Sequence, residues 1–131
     1  MKLIPEDYRD LVADETLAFA FLATIMDDGS PQVTPVWFNT EGETILINSA
    51  MGRVKDRNMR KRPQVALVLM DLEEPYRYLQ IRGRVVEITS DGAQEHFDTL
   101  SIKYTGRPRK RPAPEGEQRV TYKIYPERVV V

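Results

Sequence analysis

This sequence predicts a mainly β fold, with six or seven antiparallel strands forming a barrel and short α-helices inserted between them. Three observations carry that expectation. Six strand-like runs follow one another, several of them separated only by tight turn signals such as "DDGS", "NTEGE" and "LEEP". Most of the intervals are too short for the crossover helix that a parallel strand pair needs. The chain, 131 residues long, has the length of one domain, 1–131, and enough residues to bury a real core.

Each element has its own signal. Residues 1–15 read as an N-terminal helix: Pro5 suits a first turn, acids follow it, and Ile4, Tyr8, Leu11 and Val12 share one face. "TLAFAFLATIM" is too apolar for a surface helix, and "DDGS" turns it into "PQVTPVWF". "NTEGE" then leads into "TILIN", completing a three-stranded meander. The stretch from Arg53 reads as a short helix that stops before Pro63, because proline pushes the preceding residue out of helical geometry. "QVALVLMD" and "YRYLQIRGRVVEITS" are strands. In the second, Tyr78, Gln80, Arg82 and Arg84 fall on one face and Gly83 marks a bulge or a close backbone approach. "SDGAQEHFDTLSIKY" is an amphipathic helix with Phe97, Leu100 and Tyr104 at helical spacing. The segment 105–118 holds three prolines and four cations, a composition that predicts a mobile or partner-contacting loop. The strand "RVTYKIYP" and the end "ERVVV" follow, and no internal repeat is present.

Composition excludes several kinds of chemistry. There is no cysteine, so disulfides, thiolate nucleophiles and thiolate metal ligands are all ruled out. His96 is the single histidine, which leaves no two-histidine metal site, and its place on an amphipathic helix reads as a surface or half-buried helix residue. No metal site is expected. A net charge of −1 argues against a nucleic-acid binder, and no apolar run reaches the length of a membrane span. "MKLIPEDYRD" has no apolar segment of a secretory signal, so a cytoplasmic location is expected.

Against that nearly neutral background, Arg53 to Arg62 holds six cations in ten positions and a single acid, Asp56. Arg53 and Lys55 come where a helix begins, and its exposed N–H groups already carry about half a positive charge, so cations are disfavoured there by roughly 0.3–1 kcal/mol. A bound anion reverses that sign. The small-residue loop "NSAMG" before the helix lets backbone N–H groups approach such a ligand. The placement therefore points to a phosphate-bearing small molecule.

The ordered set "DGSPQVTPVWF", "ILINSAMGRVKDRNMRKRPQVALVL" and "YLQIRGRVVEI" resembles the flavin/deazaflavin oxidoreductase superfamily, the pyridoxamine 5′-phosphate oxidase-like proteins of the FMN-binding split-barrel type, over residues 17–131. The most specific part is the "DGSP…VTPVWF" hairpin at the right distance from "GRxKxRNxxxxP". The resemblance implies a homodimer of split β-barrels with cofactor sites in the groove between subunits. It places the cofactor phosphate at Arg53 and Lys55, supported by Asn58 one turn on. Ring contacts fall to Val33, Thr34, Pro35 and Val36, the path to the phosphate to Asn48 and Ser49, and a further contact to Gln80.

Within that superfamily, the pyridoxamine phosphate oxidases proper add arginine and histidine near the C-terminus. No histidine follows His96 here, so a different substrate is expected. "TPVWF" and "GRxKxRN" look most like the members that use the deazaflavin coenzyme F-420, whose chemistry is hydride transfer and needs no dedicated catalytic acid. The implied function is an F-420-dependent oxidoreductase acting on a small organic molecule. The alternatives are an FMN-dependent oxidoreductase or FMN-binding protein, or a cofactor carrier without turnover. The cations Arg57, Arg60 and Lys61, and those of "GRPRKR", favour F-420 as possible partners for its poly-glutamate tail.

Overall fold

Alternation of side chains along the strands fixes which face of the sheet is inside. A computed structural model describes residues 1–110 and 112–131. Its strands are β1 Phe19–Ile25, β2 Pro31–Val36, β3 Asn39–Glu41, β4 Thr44–Ala50, β5 Gln64–Met70, β6 Tyr78–Thr89 and β7 Arg119–Val130. They form one antiparallel sheet in the order β2-β1-β5-β6-β7-β4-β3. Ala20, Leu22 and Thr24 of β1 point inward while Phe21 and Ala23 point out, and Leu79 and Ile81 of β6 alternate with exposed Gln80 and Arg82 in the same way. Inward side chains of β1, β4, β5, β6 and β7 meet in a single core that includes Leu22, Ile47, Leu67, Ile81, Tyr122 and Ile124. The sheet curls around that core as a split barrel, and the barrel expectation holds.

Two helices lie against the sheet. α1, Val54–Lys61, packs on β1, and α2, Ala93–Thr105, lies across β7 and β4. The N-terminal segment is a 3-10 helix over Glu6–Val12, not a longer helix, with short-range bonds such as Tyr8 N–H to the Pro5 carbonyl at 2.9 Å. Seven residues starting at a proline support little more than that tighter form. Its apolar face is the one expected, with Ile4 and Leu11 buried. β3 pairs with β4 and occupies part of what reads as turn in "NTEGE"; β4 pairs with β3 and β7 rather than β2, so the expected three-stranded meander does not form. The turn itself shrinks to Gly42 and Glu43, with Gly42 at φ 59°.

Segment 105–118, whose composition predicts a mobile or partner-contacting loop, is tied to the rest of the chain at several described residues: Ser101 Oγ donates to the Arg107 carbonyl at 2.7 Å and the Met51 N–H to the Gln118 carbonyl at 2.8 Å. Arg109 is buried and its guanidinium pairs with Glu117 at 2.7 Å, while its backbone N–H reaches Asp98.

Gly83 shows why the strand pattern breaks there. The β6–β7 register shifts between Arg82 and Gly83, and a Cβ at Gly83 would lie 2.8 Å from Ile124 Cγ2 and 2.9 Å from the Tyr125 carbonyl oxygen. Neither neighbour is the loose end of a flexible side chain. Gly83→Ala is expected to lower unfolding stability by about 1–3 kcal/mol, as overpacking does, read as a reduced urea midpoint with an unchanged slope.

Candidate functional site

The site begins with how α1 starts. Arg53 is the N-cap residue and its side chain makes no capping bond. The capping comes from the third helical residue instead: Asp56, buried, accepts the Gly52 N–H at 2.9 Å, Arg60 Nε at 3.0 Å and the hydroxyl of Tyr122 from β7. Burial and the Asp56 carboxylate push the Tyr122 phenol pKa upward, so the hydroxyl stays protonated as the donor. With Gly52 taken by Asp56, the first-turn N–H groups of Val54, Lys55 and Asp56 lie ahead of the intrahelical ladder.

The other cations of the segment are engaged locally. Arg60 pairs with Asp56, Lys61 and Arg62 both pair with Asp27 in the β1–β2 turn, and Arg57 donates to the Gly52 carbonyl at 2.6 Å. This removes Arg60 and Lys61 from the set expected to meet an anionic tail. Among the described residues, Arg53 and Lys55 have no carboxylate partner.

Those two residues line an open cleft of about 380 Å³ with Phe19, Pro35, Val36, Trp37, Asn48, Phe97, Leu100 and Arg119. One wall is aromatic. Trp37 stacks on Tyr104 with ring centroids 5.3 Å apart and planes 3° from parallel, Phe19 flanks Tyr104 at 5.9 Å, and Phe97 leans on Trp37 at 6.5 Å. The Tyr104 hydroxyl donates to the Ala18 carbonyl, and burial pushes its pKa up to about 12. Next to that wall the lining is cationic. Arg119, buried at the start of β7, lies 3.8 Å over the Phe97 ring and donates through Nε to Asn48 Oδ1 at 2.9 Å.

Electrostatics in the cleft favour an anion over a cation. Burial lowers the Lys55 pKa, and the nearby charges of Arg53 and Arg119 lower it further. Arg119 is depressed by burial first; Glu117 opposes this, and Arg53 and Arg109 add to it. Three cations repelling one another around a cleft are relieved by a phosphate, which each could hold by a charge-assisted hydrogen bond.

The residues expected from sequence separate into groups. Pro35, Val36, Asn48, Arg53 and Lys55 meet in the cleft. Thr34 joins them through its Oγ1, which accepts from Lys55 Nζ at 3.2 Å. Ser49 points to the opposite face of β4 from Asn48, fully buried opposite Val120, and among the described residues its hydroxyl has no hydrogen-bond partner. Asn58 turns away from the cleft and donates to Thr24 Oγ1 at 3.0 Å, tying α1 to β1. Val33 and Gln80 lie together on the outer face of the sheet, in a groove with Phe21, Ala23, Ala66 and Val68.

The pyridoxamine 5′-phosphate oxidase family profile matches residues 4–130. The chain belongs to that family. An F420 reductase of known structure is 33% identical and superposes with a TM-score of 0.85, covering 97% of this chain and 98% of the other. A conserved hypothetical protein of Mycobacterium tuberculosis (22% identity, TM-score 0.69, 96% and 82% covered) shares the fold. So does the HupZ protein of Group A Streptococcus, at 21% identity and a TM-score of 0.65, with 96% and 91% covered.

For this pyridoxamine 5′-phosphate oxidase family member, sequence reasoning missed Arg119, Phe19, Trp37, Phe97 and Leu100 as cleft residues. Phe97 and Leu100 carried a signal, since both fall on the apolar stripe of α2. Arg119 reaches the cleft only because β7 pairs with β4, setting it opposite Ala50.

His96 lies behind the cleft, against Asn48, Thr121 and Asn39. Burial pushes its pKa down to about 4, against a weak upward pull from Glu41. A histidine titrating lower in the folded chain than in the unfolded one makes the unfolded state bind more protons in between. Its stabilising contribution is therefore complete above about pH 6.5 and is lost as pH falls toward about 4. Wild type is expected to lose melting temperature more steeply than His96→Gln across that window, as measured by thermal unfolding from pH 7 to pH 4.

Proposed function

We propose that the protein is an oxidoreductase that transfers a hydride between the deazaflavin coenzyme F-420 and a small organic substrate. The cofactor phosphate would be held at the start of α1 by Arg53 and Lys55, with Arg119 as a third cation. The observation that carries this reading is the pair Arg53 and Lys55, free of carboxylates among the described residues and facing an aromatic-walled cleft. The similarity to a protein named F420 reductase supports the choice of cofactor. Bound F-420 would supply two-electron hydride chemistry at its ring. The chain's own part is to position that ring along Thr34, Pro35 and Val36 and to keep water from it with Trp37, Phe97 and Leu100. The side chains of Arg107 and Lys110 are exposed near the Arg109 anchor, where they would meet a tail extending past the phosphate.

The family's architecture and the outer groove support a homodimer. Phe21, Ala23, Val33, Ala66 and Val68 make an apolar strip on the outside of the sheet, with Gln80 and Arg82 at its edge. A second copy seated there would bring Val33 and Gln80 to the cofactor groove between subunits. Val68→Glu is expected to yield monomers in sedimentation velocity and to weaken cofactor binding. A dimeric Val68→Glu protein would place the interface elsewhere.

A second reading, an FMN-dependent oxidoreductase on the same fold, is favoured by the local engagement of Arg60 and Lys61. FMN ends at its phosphate and has no use for cations beyond it. Separate titrations with F-420 and FMN, followed through the fluorescence of Trp37, decide between the two. Binding of F-420 at tens of micromolar is expected, and its absence beside tight FMN binding would reverse the order. Arg53→Ala and Lys55→Ala should each weaken the cofactor by about tenfold or more, the scale of one charged hydrogen bond, with little change in melting temperature. Normal binding by variants that melt early would make the two charges structural.

A further inference from the structure

Asn48 stands between the cleft and the single histidine, and its orientation is forced. Its Oδ1 faces Arg119 Nε, which can only donate, and its Nδ2 faces the Ala93 carbonyl at 2.8 Å, which can only accept. The same Nδ2 lies 3.2 Å from His96 Nδ1. That ring nitrogen must therefore be the acceptor, because two N–H groups cannot face each other there. The ring proton then belongs on Nε2, which lies 2.9 Å from Asn39 Oδ1 and donates to it. The Thr121 hydroxyl, 3.2 Å from Nδ1, completes the enclosure.

We propose that His96 is a positioning residue for the anion site: its unprotonated Nδ1 locks the Asn48 amide, and Asn48 Oδ1 in turn fixes the Arg119 guanidinium at the cleft as the third cation. Without the acceptor at His96, one Asn48 N–H keeps the Ala93 carbonyl but the second loses its partner, so the amide that sets the direction of Arg119 Nε is held less rigidly. Arg119 keeps its stacking on Phe97, but the bond that sets the direction of its fork is weakened. The depressed pKa of His96 keeps the ring in the neutral form that this arrangement requires. The inference rests on the proposed function only in taking the ligand to be a phosphate-bearing cofactor.

The test is a double-mutant cycle on F-420 binding, read by quenching of Trp37, the chain's single tryptophan and a cleft residue. Arg119→Met keeps an unbranched stem against Phe97 and should weaken binding by about tenfold or more, and His96→Leu by about five- to tenfold. His96→Gln retains an acceptor for Asn48 and a donor for Asn39, so it should restore binding to near wild type. Because His96 acts through Arg119, the double variant should bind no worse than Arg119→Met alone. Wild-type affinity in His96→Leu, or losses that multiply in the double variant, would overturn the proposal.

A second measurement needs no variant. Nitrogen-15 spectra of the lone imidazole should show the Nε2–H form at neutral pH, and an Nδ1–H form would sink the relay even if His96→Leu fails to fold. Pyrophosphate, titrated in parallel, separates the two readings. If wild type binds pyrophosphate and not F-420, the cofactor assignment fails and the same cycle is read with pyrophosphate. If it binds neither, both fail.

Discussion

One buried carboxylate holds the site together. Asp56 accepts from the loop before α1, from a residue one turn later in α1, and from Tyr122 in the strand beneath. Three separate pieces of chain are thus fixed to one another at the point where the helix begins. Removing this acceptor leaves the buried Tyr122 hydroxyl unsatisfied, at about 1–3 kcal/mol, while Gly52 and Arg60 can turn to water. More important for function, Arg53 and Lys55 come just before Asp56 in sequence, so their direction is set by its anchorage. The acid that capping requires is turned inward to the Tyr122 hydroxyl, and the two neighbouring cations are left to face the cleft.

The same arrangement explains the uneven charge of a nearly neutral chain. Asp27 and Asp56 between them absorb Arg60, Lys61 and Arg62. The surface pairs on Asp27 contribute little stability, since both partners are largely in water. They matter more for what they subtract: by occupying the trailing cations, they confine unbalanced positive charge to the cleft. Arg119 adds to that charge from β7, held against Phe97 and Asn48 at a distance from any carboxylate other than Glu117, which it shares with Arg109.

Much of the fold was legible because strand alternation and turn chemistry are local. The β1–β2 hairpin and the end of α1 before Pro63 follow from residues a few positions apart, and the break at Gly83 shows in the local strand pattern although the atoms that cause it belong to β7. β3 was obscured because "NTEGE" carries turn residues on both sides of a two-residue turn. In the site, the helix start at Arg53 was readable, and so was its proximity to "TPV", through the family resemblance. Asn58 and Ser49 were not separable from cleft residues, since whether each side chain turns to Thr24, to the core or to the ligand depends on packing between distant strands. Arg119 and the Asn48–His96 contact were invisible for the same reason: they join residues 71 and 48 positions apart.

The place of β7 in the sheet has a consequence for how the molecule assembles. Although it follows every other strand in sequence, it lies between β6 and β4, joining the β2-β1-β5-β6 half to the β4-β3 hairpin. Until it inserts, those two pieces share no backbone ladder, Asp56 lacks its Tyr122 partner, and Arg119 is absent from the cleft. Loop closure over such separations costs entropy before any contact rewards it, so topologies of this kind fold slowly and all at once. The cleft is therefore a late product of folding: a chain that has formed its hairpins and α1 still lacks the Arg119 side of it until its last strand has threaded into the middle.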